Sequence, residues 1–61
     1  MLLVYRYRVW DKEFGAWVIF PEKMTADRIA KIGGTMIPRT GELIDPGLLD
    51  SSERYHMPRR T

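Results

Sequence analysis

Arg6 and Arg8 stand two residues apart in a segment, Leu2 to Trp10, that is dense in β-branched and aromatic residues. Alternate side chains of a strand share a face, so this spacing sets two guanidiniums beside the Trp10 indole. Guanidinium next to aromatic surface stacks nucleic-acid bases and binds phosphate, and it also forms the energetic centre of many protein–protein interfaces. The structural use of the same residues is plainer: the arginine stems would cover Trp10 or Trp17 on a solvated face. Phe14 adds an apolar residue to a segment of loop composition, where polar side chains are the rule. It suits a plug for a partner's pocket, or a ring folded back over the sheet edge.

Of the aromatic residues Tyr5, Tyr7, Trp10, Phe14, Trp17, Phe20 and Tyr55, all but Tyr55 fall within residues 5–20. Large rings fill a small core efficiently. One short helix cannot cover both faces of a strand pair that carries so many, so some aromatic surface is expected to stay exposed or to meet another chain.

Other candidate chemistry is thin. Glu53 and His56 have the E-x-x-H spacing of helical di-metal sites, but such sites draw ligands from four helices, and a solvated histidine accounts for the pair. Gly33-Gly34-Thr35 lacks the lysine and the spacing of a phosphate loop, and the end of a helix explains it. There is no cysteine, which excludes disulfides and thiolate zinc sites, and one histidine cannot form an all-histidine metal site. No cofactor, metal or small-molecule substrate is expected. With no thiol and little room for a dry cleft in 61 residues, an enzyme is not expected either.

The net charge of +2 is unevenly placed. Residues 1–40 carry +3, residues 41–53 carry −4 with no base, and the last eight residues carry +3 through Arg54, Arg59 and Arg60. The acidic stretch blunts any one-sided basic field of the kind that marks a nucleic-acid module. The apolar and charged fractions, 44% and 30%, are those of a globular chain. No stretch approaches the roughly 20 apolar residues of a membrane span, and the N-terminal residues lack the pattern of a secretory signal, so a cytoplasmic location is the default.

The elements that must hold these residues follow from periodicity and punctuation. Leu2–Trp10 alternates, with Leu3, Tyr5, Tyr7 and Val9 on one side and Leu2, Val4, Arg6, Arg8 and Trp10 on the other. Asp11 to Gly15 interrupts, and the apolar stretch Trp17–Phe20 stops at Pro21, which together predict a β-hairpin of residues 2–10 and 16–20. A helix is expected over 25–32, with Thr25 as its cap, Met24 stapled to Ile29, and Asp27 and Lys31 suited to the macrodipole. Gly33 or Gly34 ends it, and Ala26, Ile29, Ala30 and Ile32 supply its buried face. One or two strands follow within 35–44, as a second hairpin or as one strand added to the first sheet. Asp45-Pro46-Gly47 reads as a turn or as the start of a single helical turn. From Ser51 the polar composition predicts a loose tail.

The sequence therefore describes an α+β domain over residues 1–50, ordered ββαβ or ββαββ, with a flexible tail over 51–61. A helix covering the Leu3/Tyr5/Tyr7/Val9 side would leave Arg6, Arg8 and Trp10 displayed. The expected function is non-enzymatic protein binding, as an inhibitor or regulator that occupies a partner's surface through Arg6, Arg8, Trp10, Phe14 and Trp17. The partner could include a second copy of the chain. The alternative is nucleic-acid binding through Arg6, Arg8 and Lys12, with Arg59 and Arg60 adding affinity.

Overall fold

The computed structural model describes residues 1–56. It is an α+β fold made of two three-stranded antiparallel sheets and one short helix. In chain order the elements are β1 (Leu2–Tyr5), β2 (Tyr7–Asp11), β3 (Ala16–Ile19), β4 (Met24–Thr25), α1 (Ala26–Lys31), β5 (Thr35–Met36) and β6 (Glu42–Ile44). A single 3-10 turn over Pro46–Leu48 follows, capped by Asp45, whose carboxylate accepts from the Gly47 amide at 2.8 Å. One sheet is ordered β4-β1-β6 and the other β3-β2-β5. Among the described residues no helix is long and apolar enough to cross a membrane.

The segment expected to be one strand, Leu2–Trp10, is broken at Arg6. The Arg6 amide donates to the Thr40 hydroxyl at 3.0 Å, and its carbonyl accepts from the Ile37 amide at 2.9 Å. Thr40 in turn donates to the Ile37 carbonyl at 2.7 Å, so a short loop occupies the place where a ladder would continue. The break shifts the side-chain phase. Val4 and Tyr7, which strict alternation sets on opposite faces, are both almost fully buried. Leu3, which strict alternation sets on the same face as Tyr7, is 45% exposed.

Each half of the broken strand takes one later strand. β6 pairs with β1, with Leu3 opposite Leu43, and β5 pairs with β2, with Tyr7 opposite Met36. Residues 35–44 thus supply two strands, but not a hairpin: Pro38 to Gly41 connects one sheet to the other. A further short strand, β4, runs along β1 with Tyr5 opposite Met24, where the sequence showed only the approach to a helix.

Helix α1 begins as its residues require. The Thr25 hydroxyl accepts from the Arg28 amide, Asp27 lies in the first turn and Lys31 in the last. At its end the Gly33 amide donates to the Ala30 carbonyl and the Gly34 amide to the Ile29 carbonyl, which is the Schellman pattern. Gly33 sits at φ +74, a conformation that a side chain would strain. The buried face is narrower than expected. Only Ile29 is buried, while Ala26, Ala30 and Ile32 are exposed, because a helix of six residues presents one turn to the core.

The core has two parts. Tyr7, Met24 and Ile29 pack together under α1, with Tyr5, Val9 and Phe20 at the margin. Val4, Ile44 and Tyr55 form the other cluster, flanked by Leu2 and Leu49. Of the loose tail expected from Ser51, residues 57–61 lie outside the described residues, and within 51–56 Tyr55 is held to the fold. Its amide donates to the Lys23 carbonyl at 2.7 Å, the Lys23 amide donates back at 2.8 Å, and the ring is buried. The chain therefore docks onto the fold through residue 56.

Candidate functional site

The exposed surface of interest is the β2–β3 hairpin. Its turn is built by Asp11, whose carboxylate accepts from the Glu13 and Phe14 amides at 2.9 and 3.2 Å, and by Gly15 at φ +61. That turn fixes the register: Asp11 faces Ala16, Trp10 faces Trp17, Val9 faces Val18 and Arg8 faces Ile19. Cross-strand partners share a face, so Arg8, Trp10, Trp17 and Ile19 stand together on one side. The two indoles meet edge to face with centroids 5.4 Å apart, and the Arg8 guanidinium lies 4.2 Å from the centroid of a Trp17 ring.

This face is open. Trp10 and Trp17 are each 46% exposed and Ile19 is 55% exposed, and every residue of β3 is exposed. On the reverse side Phe20 stacks on Tyr7 at 5.2 Å, and an open groove of about 550 Å³ runs between Val9, Val18, Phe20 and the Lys12–Glu13 end of the turn. Phe14 projects at the tip and is 80% exposed, so it does not fold back over the sheet edge.

Of the residues singled out from the sequence, the structure brings Arg8, Trp10 and Trp17 into contact and sets Phe14 at the end of the same hairpin. Arg6 stands apart at the break between the sheets, because its backbone is tied to Thr40 and Ile37. Lys12 is exposed in the turn beside the groove. Arg59 and Arg60 lie outside the described residues. Ile19 was not singled out. Counting back across the turn from Gly15 would have placed it beside Arg8 and Trp17.

The polar groups gather elsewhere. The buried Glu22 carboxylate accepts from the Tyr7 hydroxyl at 2.7 Å and lies 3.7 Å from the Arg54 Nε. Burial, and then the bond to that carboxylate, push the Tyr7 hydroxyl well above its ordinary 10.0. The half-sheltered pair Lys23–Glu42, at 2.9 Å, holds the Glu42 carboxyl below its usual value through the lysine's hydrogen bond. Burial and the Glu42 charge raise Tyr55. Asp50 is held low by the Arg54 amide first and then by His56, whose Nε2 is 2.7 Å away.

Glu53 and His56 do not share a helix face. Glu53 sits at φ +60 and reaches toward Arg28 at 3.8 Å. Among the described residues no group of three or more histidine, aspartate or glutamate side chains is placed to hold a metal ion. Through Glu53, Arg54 and the Tyr55 backbone, residues 50–56 are tied to Arg28, Glu22 and Lys23, and none of these contacts involves Arg8, Trp10, Trp17 or Ile19. No known protein family, characterised protein or solved structure matches this chain.

Proposed function

We propose that this protein is a non-enzymatic binding module that takes a partner protein on the hairpin face formed by Arg8, Trp10, Trp17 and Ile19, with Phe14 as an anchor at the tip. The observation that carries this reading is the half-exposed indole pair with a guanidinium stacked on it, on a hairpin whose outer strand is exposed throughout. Tryptophan and arginine dominate the energetics of protein interfaces, because each desolvates a large area while keeping a directional group. Here the stacking already holds Arg8 and Trp17 in one arrangement, so less rotamer freedom is lost when a partner docks. On this reading the module acts as an inhibitor or regulator by covering the surface it binds. A cytoplasmic site of action goes with this reading.

Nucleic-acid binding is the competing reading, and it is less favoured. Arg6 is separated from the aromatic face, and Arg8 is engaged with Trp17. The two readings part on salt. Capture of a partner on immobilised protein should change only a few-fold between about 50 and 200 mM salt, whereas six or more phosphate contacts would lose about a thousandfold. Trp10→Ala or Phe14→Ser should weaken protein capture by about tenfold or more. Backbone amide shifts caused by mixed DNA and RNA oligonucleotides and reversed by salt, with capture unaltered in both variants, would overturn the proposal.

A further inference from the structure

Among the described residues the outer edge of β3 is left open, unlike the other sheet edges. β5 and β4 are two residues long, the first followed closely by Pro38 and the second running directly into α1. β6 carries Glu42, paired with Lys23, and ends at Asp45-Pro46. Short length, charge and proline are the usual means of keeping an edge from pairing with another chain. β3 lacks the first two: Ala16-Trp17-Val18-Ile19 is four residues long and all exposed, with no charge between Phe14 and Phe20, and its following proline, Pro21, lies past the strand and leaves the Trp17 and Ile19 amides in place.

The hydrogen-bond parity of the hairpin says which groups that edge offers. The Phe20 amide donates to the Tyr7 carbonyl, so Tyr7 and Phe20 are a bonded pair. Two residues along, Val9–Val18 and Asp11–Ala16 are bonded pairs as well, and Arg8–Ile19 and Trp10–Trp17 are not. The amides and carbonyls of Trp17 and Ile19 therefore point away from β2. They lie symmetrically on either side of Val18.

We infer that the occupant of this edge is a second copy of the chain, joined antiparallel about a two-fold axis at Val18. In that register Trp17 of each copy faces Ile19 of the other, and both residues have their backbone groups pointing into the seam. All the free donors and acceptors of the two strands are then used by one another. Val18 meets its own counterpart in a non-bonded pair, and the uncharged strand gives nothing to repel its copy. The result is a continuous six-stranded sheet, β5-β2-β3 followed by β3-β2-β5, whose aromatic face is twice as wide. A standard interface takes about 800 Å² from each partner, roughly a sixth of the 4856 Å² surface of this chain. A four-residue seam falls below that, so the dimer belongs to the transient class and forms by mass action.

The inference rests on the reading of the hairpin as a binding surface, and it is tested separately. Sedimentation of the 61-residue chain from about 10 µM to about 1 mM should pass from monomer to dimer. The chain has no cysteine, so single substitutions report the register without interference. Val18→Cys places the two cysteine Cα atoms about 4.5 Å apart, within disulfide reach, whereas Ile19→Cys places them beyond about 7 Å. In a glutathione redox buffer Val18→Cys should give about tenfold more linked dimer than Ile19→Cys. A wild type that stays monomeric throughout, or equal linkage in both variants, would sink the dimer. Either result leaves the binding reading intact, since that is judged by Trp10→Ala, whose side chain stands on β2 away from the seam.

Discussion

The two sheets are the same size and share the broken strand that feeds them, yet they are finished differently. The β4-β1-β6 sheet is closed: Val4, Ile44 and Tyr55 pack beneath it, Lys23 and Glu42 pair at its margin, and Tyr55 is bonded back onto Lys23, just ahead of β4. The β3-β2-β5 sheet is closed on one side of β2 only, by Tyr7, Met24 and Ile29, and its outer strand has no buried residue. A chain of 61 residues has few large side chains to distribute. This one sets the Lys23–Glu42 and Lys23–Tyr55 fastenings at the first sheet and leaves two tryptophans 46% exposed, with Ile19 and Phe14 more exposed still, on the hairpin of the second. Buried fastening and exposed aromatic surface are separated in space.

The sharpest way to break that contrast is to make the same substitution in both sheets. Ile44 is 3% exposed and Ile19 is 55% exposed. Ile44→Ala should lose about 2–5 kcal/mol, comparable with the whole stability of a domain this small, while Ile19→Ala should stay within about 0.5 kcal/mol. Urea unfolding of dilute protein measures both. Equal losses would mean that β3 is packed as tightly as β6, and the division between the sheets would fall.

A smaller effect tests the join between them. Tyr7→Phe keeps the ring that packs on Met24 and Phe20 but leaves the buried Glu22 carboxylate without the hydroxyl that donates to it. The expected loss is about 1–3 kcal/mol, the cost of a buried acceptor left short of its partner. Because Arg54 also reaches Glu22, the loss should be accompanied by faster amide exchange at Tyr55 and Lys23. Exchange changing only in β2 and β3 would show that the Tyr7 bond serves the hairpin alone.

The open region was the more legible of the two. Strict alternation, the loop ending in Gly15 and the stop at Pro21 marked the hairpin, and they placed Arg8 and Trp10 on one face. Thr25, Asp27, Lys31 and Gly33 marked the helix for equally local reasons. What escaped was decided at a distance. The break at Arg6 depends on Thr40, 34 residues away, and no local pattern around Arg6 announces it. That one break split the expected sheet in two, removed Arg6 from the aromatic face and sent β5 and β6 to different partners. Tyr55 escaped for a related reason: a single ring among polar residues has no periodicity, and its burial follows from the Lys23 backbone and the Glu22–Arg54 contact.

Acid should separate the two sheets most gently. Asp50 is held below its ordinary 3.8, by the Arg54 amide first, and Glu42 below its ordinary 4.5, by the Lys23 ammonium first. A carboxyl whose pKa is depressed in the fold contributes stability that is complete above its ordinary value and is lost as the pH falls through the depressed one. Both groups fasten residues 42–56, and neither touches β2 or β3. As the pH drops below about 4, the Tyr55 and Lys23 amides should exchange with solvent before those of Val9 and Val18. The shift is small, because these carboxylates are exposed and water screens them. Amide exchange followed by NMR between about pH 6 and pH 2 resolves the order, corrected for the intrinsic pH dependence of exchange. If the hairpin amides open first, the ionic fastenings around Tyr55 do not set the stability of the closed sheet, and its advantage over the open one rests on Val4 and Ile44 alone.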